Sequence, residues 1–120
     1  MMLTRVAVVG SCASGKTSVV ARLRERGIDA WAVAQEHSAI QELWRHLGPD
    51  RLVFLDTTIQ TVRARRQDDN WPEWIFNLQQ ERLADARANA DVVVPTDGLT
   101  LDDVVATILE ALDRRASTAG

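Results

Sequence analysis

Cysteine is almost missing: Cys12 is the only one in 120 residues. A single thiol excludes an internal disulfide and a cysteine-rich metal site, and it fits a reducing cytosol. Long apolar runs are missing too. None approaches the ~20 residues that span a bilayer, so no membrane partner is expected. The opening MMLTRVAVVG has too short an apolar run for a secretion signal and leads straight into what reads as a core strand. A cytoplasmic location is the expectation. An excess of positive charge is also lacking, the formal net charge being -3. Nucleic-acid binding usually rests on a basic face, so nucleic acid is not the expected partner, whereas a small anion needs only local positive charge. Repeats and low-complexity stretches are absent. What remains is ordinary globular composition, enough for one domain with one core over 1–115 and a frayed tail over 116–120.

Apolar patterning divides the chain into alternating elements. Arg5 to Val9 (RVAVV) reads as a strand buried on both faces, ending at Gly10. Lys16 to Arg26 reads as a helix stopped by Gly27. Ile28 to Ala34 is a weaker second strand. His37 to Leu47 carries Ile40, Leu43, Trp44 and Leu47 at helical spacing, and GPD from Gly48 breaks it. Leu52 to Leu55 is a third buried strand closed by Asp56. Thr57 or Thr58 caps a helix through IQTVRARRQ, and DDNWP then interrupts the chain. Pro72 suits the start of a helix through EWIFNLQQERLADARANA, whose apolar face is untidy. Val92 to Val94 is a fourth strand ended by PTDG. Thr100 caps a last helix with Leu101, Val104, Val105, Ile108, Leu109 and Leu112 on its buried side.

The order βαβαβααβα predicts an α/β fold, a three-layer α/β/α sandwich around a small parallel sheet of about four strands. Ligands of such sheets bind at the carboxyl ends of the strands. All four predicted ends carry polar groups or glycine: Gly10, Gln35-Glu36, Asp56 and Thr96-Asp97.

The turn after the first strand is the most specific signal. Gly10 to Thr17, GSCASGKT, has the spacing G-x-x-x-x-G-K-[ST] between a predicted strand and a predicted helix. Gly10 and Gly15 let the backbone turn where a Cβ would clash, so successive amides can point inward. The helix start adds partial positive charge. Lys16 supplies an ammonium for the outer phosphates, and the Thr17 hydroxyl suits Mg²⁺. Gly10, Ser11, Cys12, Ala13, Ser14, Gly15, Lys16, Thr17 and Ser18 are the expected nucleotide-binding residues. Cys12 reads as a small tolerated side chain, although oxidation or alkylation there would block phosphate entry.

This turn resembles that of the P-loop nucleoside-triphosphatases. Beyond it, RLVFLDTTIQTVRARRQ resembles the strand, helix and basic lid of the small-molecule and nucleotide kinases, the shikimate kinase and adenylate or cytidylate kinase group. ERLADARANADVVVPTDGLTLDDVVATILEAL resembles their closing helix–strand–helix. The resemblance implies a lid around 60–75 and an Mg-ATP-dependent phosphotransferase acting on a small molecule. In that group a lid arginine stacks on adenine or touches the moving phosphate. Arg63, Arg65 and Arg66 stand in that place, against the plainer reading of a solvated basic face. The chain departs from the group in having four predicted strands where five are usual. The stretch from Gly27 to Leu52 is also too short for a domain closing over the acceptor. The acceptor site is therefore abbreviated, borrowed from a partner subunit, or absent. The alternatives to a kinase are a nucleotide-binding module without turnover and a simple ATPase.

Two carboxylates compete for the metal and acceptor roles. Glu36 in QEHS follows the second strand, where deoxynucleoside kinases carry a similar Glu-Arg-Ser whose glutamate acts as base. It can equally stabilise a helix start. Asp56 ends an apolar strand as a Mg²⁺-holding acid would, but the stronger reading makes it a helix cap. Asp97, in the turn that touches adenine in the resembling kinases, is either a base contact or a plain turn residue. No Asn-Lys-x-Asp guanine reader is present, which favours ATP. Trp31, Trp44, Trp71 and Trp74 are expected mainly in the core, with ligand stacking or a homodimer interface as the alternative for Trp71 and Trp74.

Overall fold

The computed structural model describes residues 4–119, with side chains described as far as Arg114. Four strands form one sheet in the order β2-β1-β3-β4. They are β1 (Arg5–Gly10), β2 (Asp29–Ala32), β3 (Arg51–Asp56) and β4 (Val92–Pro95). Every pairing is parallel, with Val8 opposite Ala32, Gly10 opposite Leu55 and Asp56 opposite Pro95. The register brings the carboxyl ends of β1, β3 and β4 level. Val33 N donates to Val8 O at 2.9 Å, so the chain leaving β2 starts beside them.

Alternation along the strands builds two cores. Val6, Val8, Val53, Leu55 and Val94 face α1 (Lys16–Glu25) and α5 (Leu101–Ala119). They pack on Val19, Val20 and Leu23 of α1 and Val104, Val105 and Ile108 of α5. Ala7, Val9, Leu52 and Phe54 face the opposite way, onto Trp44, Leu83 and Ala86. Both sheet faces are covered, which is why β1 and β3 are continuous apolar runs. The architecture is α/β with a four-stranded all-parallel sheet, compatible with a three-layer sandwich. No helix among the described residues is long and apolar enough to cross a membrane.

Several ends form as their residues dictate. Gly27 adopts φ 81° after α1, and Ile28 N donates back to Leu23 O at 3.1 Å, a left-handed helix stop. Thr58, rather than Thr57 or Asp56, caps α2 (Ile59–Arg66), accepting from Thr61 N at 3.4 Å. Thr100 and Asp103 exchange side-chain-to-amide bonds of 3.1 Å at the start of α5. The tail expected to fray, 116–120, covers the end of α5 and Gly120, and its side chains lie outside the described ones.

Three expectations are corrected. The predicted helix over His37–Leu47 is instead two single turns of 3₁₀ helix, Gln35–His37 and Leu43–Arg45. Gln35 is the physical reason. A helix would bond Trp44 N to Ile40 O, but the fully buried Gln35 amide takes both groups, donating to Ile40 O at 2.7 Å and accepting from Trp44 N at 2.9 Å. Ile40 and Leu47 are left exposed. The predicted long helix after Pro72 is two helices, α3 (Glu73–Arg82) and α4 (Ala84–Asn89), which break at Leu83. Leu83 N bonds both Gln79 O and Gln80 O there, and its side chain is buried in the core. Trp74, expected mainly in the core, is 68% exposed, whereas Trp44 is buried with its indole N–H on Asp85 at 2.9 Å.

Candidate functional site

The site begins where β1 ends. Gly10 cannot carry a side chain: a Cβ would lie 2.9 Å from Leu55 O and 2.7 Å from Ser14 Oγ. The chain then turns through Ala13 at φ 62° and Gly15 at φ 96°, both left-handed. For Ala13 that conformation costs about 1 kcal/mol or more, a strain that tends to persist where a site requires it. The loop delivers the chain to α1, whose start has no side-chain cap. The first amides of a helix have no intrahelical partner, and no side chain caps them here.

Lys16, the only lysine in the chain, folds back over this loop. Its Nζ donates to Gly10 O at 2.8 Å and to Ser11 O at 3.1 Å, and it is ion-paired with Glu36 Oε2. All three ammonium hydrogens therefore have acceptors. Glu36 comes from the 3₁₀ turn after β2, and its side chain is only 4% exposed. The second carboxylate oxygen, Oε1, is buried and has no hydrogen-bond partner. The hydroxyls of Ser11 and Ser14 are likewise buried and unpartnered. Buried polar atoms are normally satisfied; of the four unpartnered ones among the described residues, three belong to the loop and to the partner of Lys16, and the fourth is Trp71 Nε1.

The element that closes this corner was not legible as part of it. From α3, the buried Gln79 accepts from Cys12 N at 3.1 Å, and Arg82 donates to Glu36 O at 3.5 Å. Gln35 in turn donates to Arg82 O at 3.2 Å. The untidy apolar face of this helix is the one available signal, because Gln79 lies one turn from both Ile75 and the buried Leu83.

The other end of the loop opens onto a cavity of about 300 Å³. It is lined by Ala13, Ser14 and Gly15 of the loop, Ser18 and Val19 of α1, Arg65 of α2, and Thr96, Leu99, Leu101 and Val104 from the β4–α5 corner. Arg65 donates to Ala13 O at 2.8 Å, joining α2 to the loop. Thr57 and Thr96 share a buried 2.7 Å hydroxyl bond that holds the ends of β3 and β4 together.

The remaining sequence candidates are placed elsewhere. Arg63 donates to Trp71 O at 3.0 Å, and Arg66 stacks on the Trp71 ring at 3.9 Å, so both brace the α2–α3 turn and neither touches the loop. Asp56 neither caps α2 nor stands free, because its carboxylate pairs with Arg87 at 2.7 Å. Asp97 lies on the surface and accepts from Thr58 N at 3.3 Å. Partial burial works against its ionisation. Hydrogen bonds from Thr61 and Thr58 and the charge of Arg65 outweigh that and hold its carboxyl below the ordinary value. Thr17 and Ser18 are exposed on the first turn of α1. Among the described residues no group of three or more His, Cys, Asp and Glu side chains is placed to hold a metal by itself. No protein-family model matches the chain, and none of the curated proteins is significantly similar to it.

Proposed function

We propose that the chain binds ATP with Mg²⁺ and transfers its terminal phosphoryl group to a small molecule, as a reduced member of the P-loop kinases. The observation that carries this reading is the left-handed turn at Ala13–Gly15 leading to an uncapped helix start, with Lys16 folded across it. The phosphates would lie over the amides of Ala13 and of Gly15 to Thr17, the Ser14 amide being bonded to Ser11 O at 3.2 Å, and Lys16 would exchange its carbonyl and carboxylate partners for phosphate oxygens. The nucleoside would fill the 300 Å³ cavity, its base between Arg65 and the apolar side chains of Leu101 and Val104. The cavity lies at the opposite end of the loop from Glu36, so the terminal phosphate would point at the carboxylate.

A magnesium ion would be held mainly by the phosphates themselves, since no group of three or more acidic, His or Cys side chains among the described residues could hold it alone. The orphaned Glu36 Oε1 and the exposed Thr17 hydroxyl would hold it together with the phosphates, while Asp56 is committed to Arg87. Magnesium at that place would neutralise charge on the outer phosphates. Glu36 would orient an acceptor hydroxyl or take its proton, and Arg65, which lines the cavity, would serve as the lid arginine.

A second reading, a nucleotide-binding module without turnover, is favoured by the burial of Glu36 and by the engagement of Arg63 and Arg66 on Trp71. Incubation with Mg-ATP and a panel of nucleosides, sugars and small acids separates the two. Phosphorylated product that disappears in Glu36→Gln supports the kinase. Saturable ATP binding with no product and no hydrolysis supports the module.

A further inference from the structure

Gln79 is a buried amide on a helix with no obvious catalytic signature, 4% exposed and far in sequence from the loop it touches. Its bond to the loop fixes its orientation. Cys12 N–H is a donor, so the atom facing it at 3.1 Å must be the carbonyl oxygen, Oε1. The amide nitrogen, Nε2, is thereby turned the other way, and it donates to no described residue. It is also not among the fully enclosed unpartnered atoms, so it reaches accessible space at the edge of the loop.

The loop has two distinguishable ends. Ala13, Ser14 and Gly15 line the 300 Å³ cavity, whereas Ser11 and Cys12 do not. Ser11 instead shares the Lys16 ammonium with Glu36. A phosphate chain entering from the cavity and running to Lys16 would finish at the Ser11–Cys12 end, beside Gln79. Arg82, one turn further along α3, grips the backbone of Glu36, so the same helix touches both sides of that end.

We propose that Gln79 is a specificity residue for the terminal phosphate: its carbonyl oxygen fixes Cys12 and its amide N–H group donates to the third phosphate of a bound triphosphate. This rests on the nucleotide reading above and adds to it a means of telling triphosphate from diphosphate. A donor aimed at an anionic oxygen discriminates more strongly than a neutral contact, because losing it leaves charge unsolvated.

The test is calorimetric titration of the whole protein with magnesium and either a non-hydrolysable ATP analogue or ADP. The substitution Gln79→Glu keeps an acceptor for Cys12 but replaces the donor with negative charge. It should weaken the triphosphate analogue by about tenfold or more and ADP by less than about threefold. Gln79→Met, which removes both bonds at similar volume, should lower the ratio of the two affinities in the same direction, and it serves if the first variant does not fold. Equal weakening of both nucleotides, or an unchanged ratio, overturns the role of Gln79 and leaves the nucleotide reading standing. Wild-type protein that takes up neither nucleotide ends both.

Discussion

Two turns leave neighbouring strands and meet at one ion pair, yet they are held in different ways. The turn after β1 is shaped by its own residues and then bonded from outside: Gly10 has no room for a Cβ, Gly15 takes a positive φ and Lys16 reaches carbonyls a few residues behind it, while Gln79 and Arg65 bond Cys12 and Ala13. The turn after β2 is held from a distance. Gln35 replaces helical hydrogen bonds with its own amide, Arg82 reaches Glu36 from α3, and Lys16 supplies the counter-charge. A turn whose path is set by its own glycines fails first when a glycine is replaced. A turn held by distant side chains fails when any of them is lost.

The largest effect should come where the turns meet. Lys16→Met leaves the buried Glu36 carboxylate with only the exposed His37 ring nearby, at 3.9 Å, which should cost about 3–4 kcal/mol of stability. The double variant Lys16→Met/Glu36→Gln should recover most of that loss, and urea unfolding of the three proteins measures it. Next comes Gln35→Ala, which orphans buried backbone groups and opens a cavity. It should cost about 3 kcal/mol and lower the melting temperature by roughly 10 °C. On the local side, Gly10→Ala should cost about 2 kcal/mol, since Leu55 O belongs to the sheet backbone and cannot swing aside. Gly15→Ala should cost only about 1 kcal/mol, since a Cβ there meets nothing within 4 Å and only the left-handed backbone resists it. If the two glycine variants lose stability in the reverse order, the distinction between crowding and backbone conformation fails.

The smallest effect is a pH dependence at Asp97. Its folded carboxyl titrates below the ordinary value of 3.8, so the unfolded chain binds the proton first as pH falls. The stabilisation is present above that value and disappears as pH drops through the lower folded value. Wild type should therefore exceed Asp97→Asn slightly at neutral pH, and the two unfolding curves should converge below about pH 4. A gap that widens on acidification would contradict the assigned direction.

The same contrast explains what could be read from the sequence. The strands, α1 with its Gly27 stop, the Thr100 cap and the loop from Gly10 to Thr17 all follow from residues close together in the chain. The meeting of Lys16 and Glu36 depends on the strand order, which the sequence left open: with β2 beside β1, its carboxyl end comes to the loop. The helix expected over His37–Leu47 failed because periodicity cannot register a buried glutamine that competes for the backbone. Arg63, Arg65 and Arg66 look equivalent in sequence. Trp71 takes two of them, and only Arg65 reaches the loop. Gln79 stayed hidden because a polar residue on a helix face reveals neither its burial nor the distant amide it meets.

On the proposed function, the Gly10–Thr17 loop, closed by Lys16, would grip the phosphates of a nucleotide. Calorimetric titration with Mg-ATP tests it most directly, using wild type and the charge-neutral Lys16→Met/Glu36→Gln variant as a folded control. Saturable one-to-one binding to wild type is expected, weakened about 100-fold or more in the variant. No saturation of wild type at millimolar ATP, or equal binding by both proteins, would contradict it.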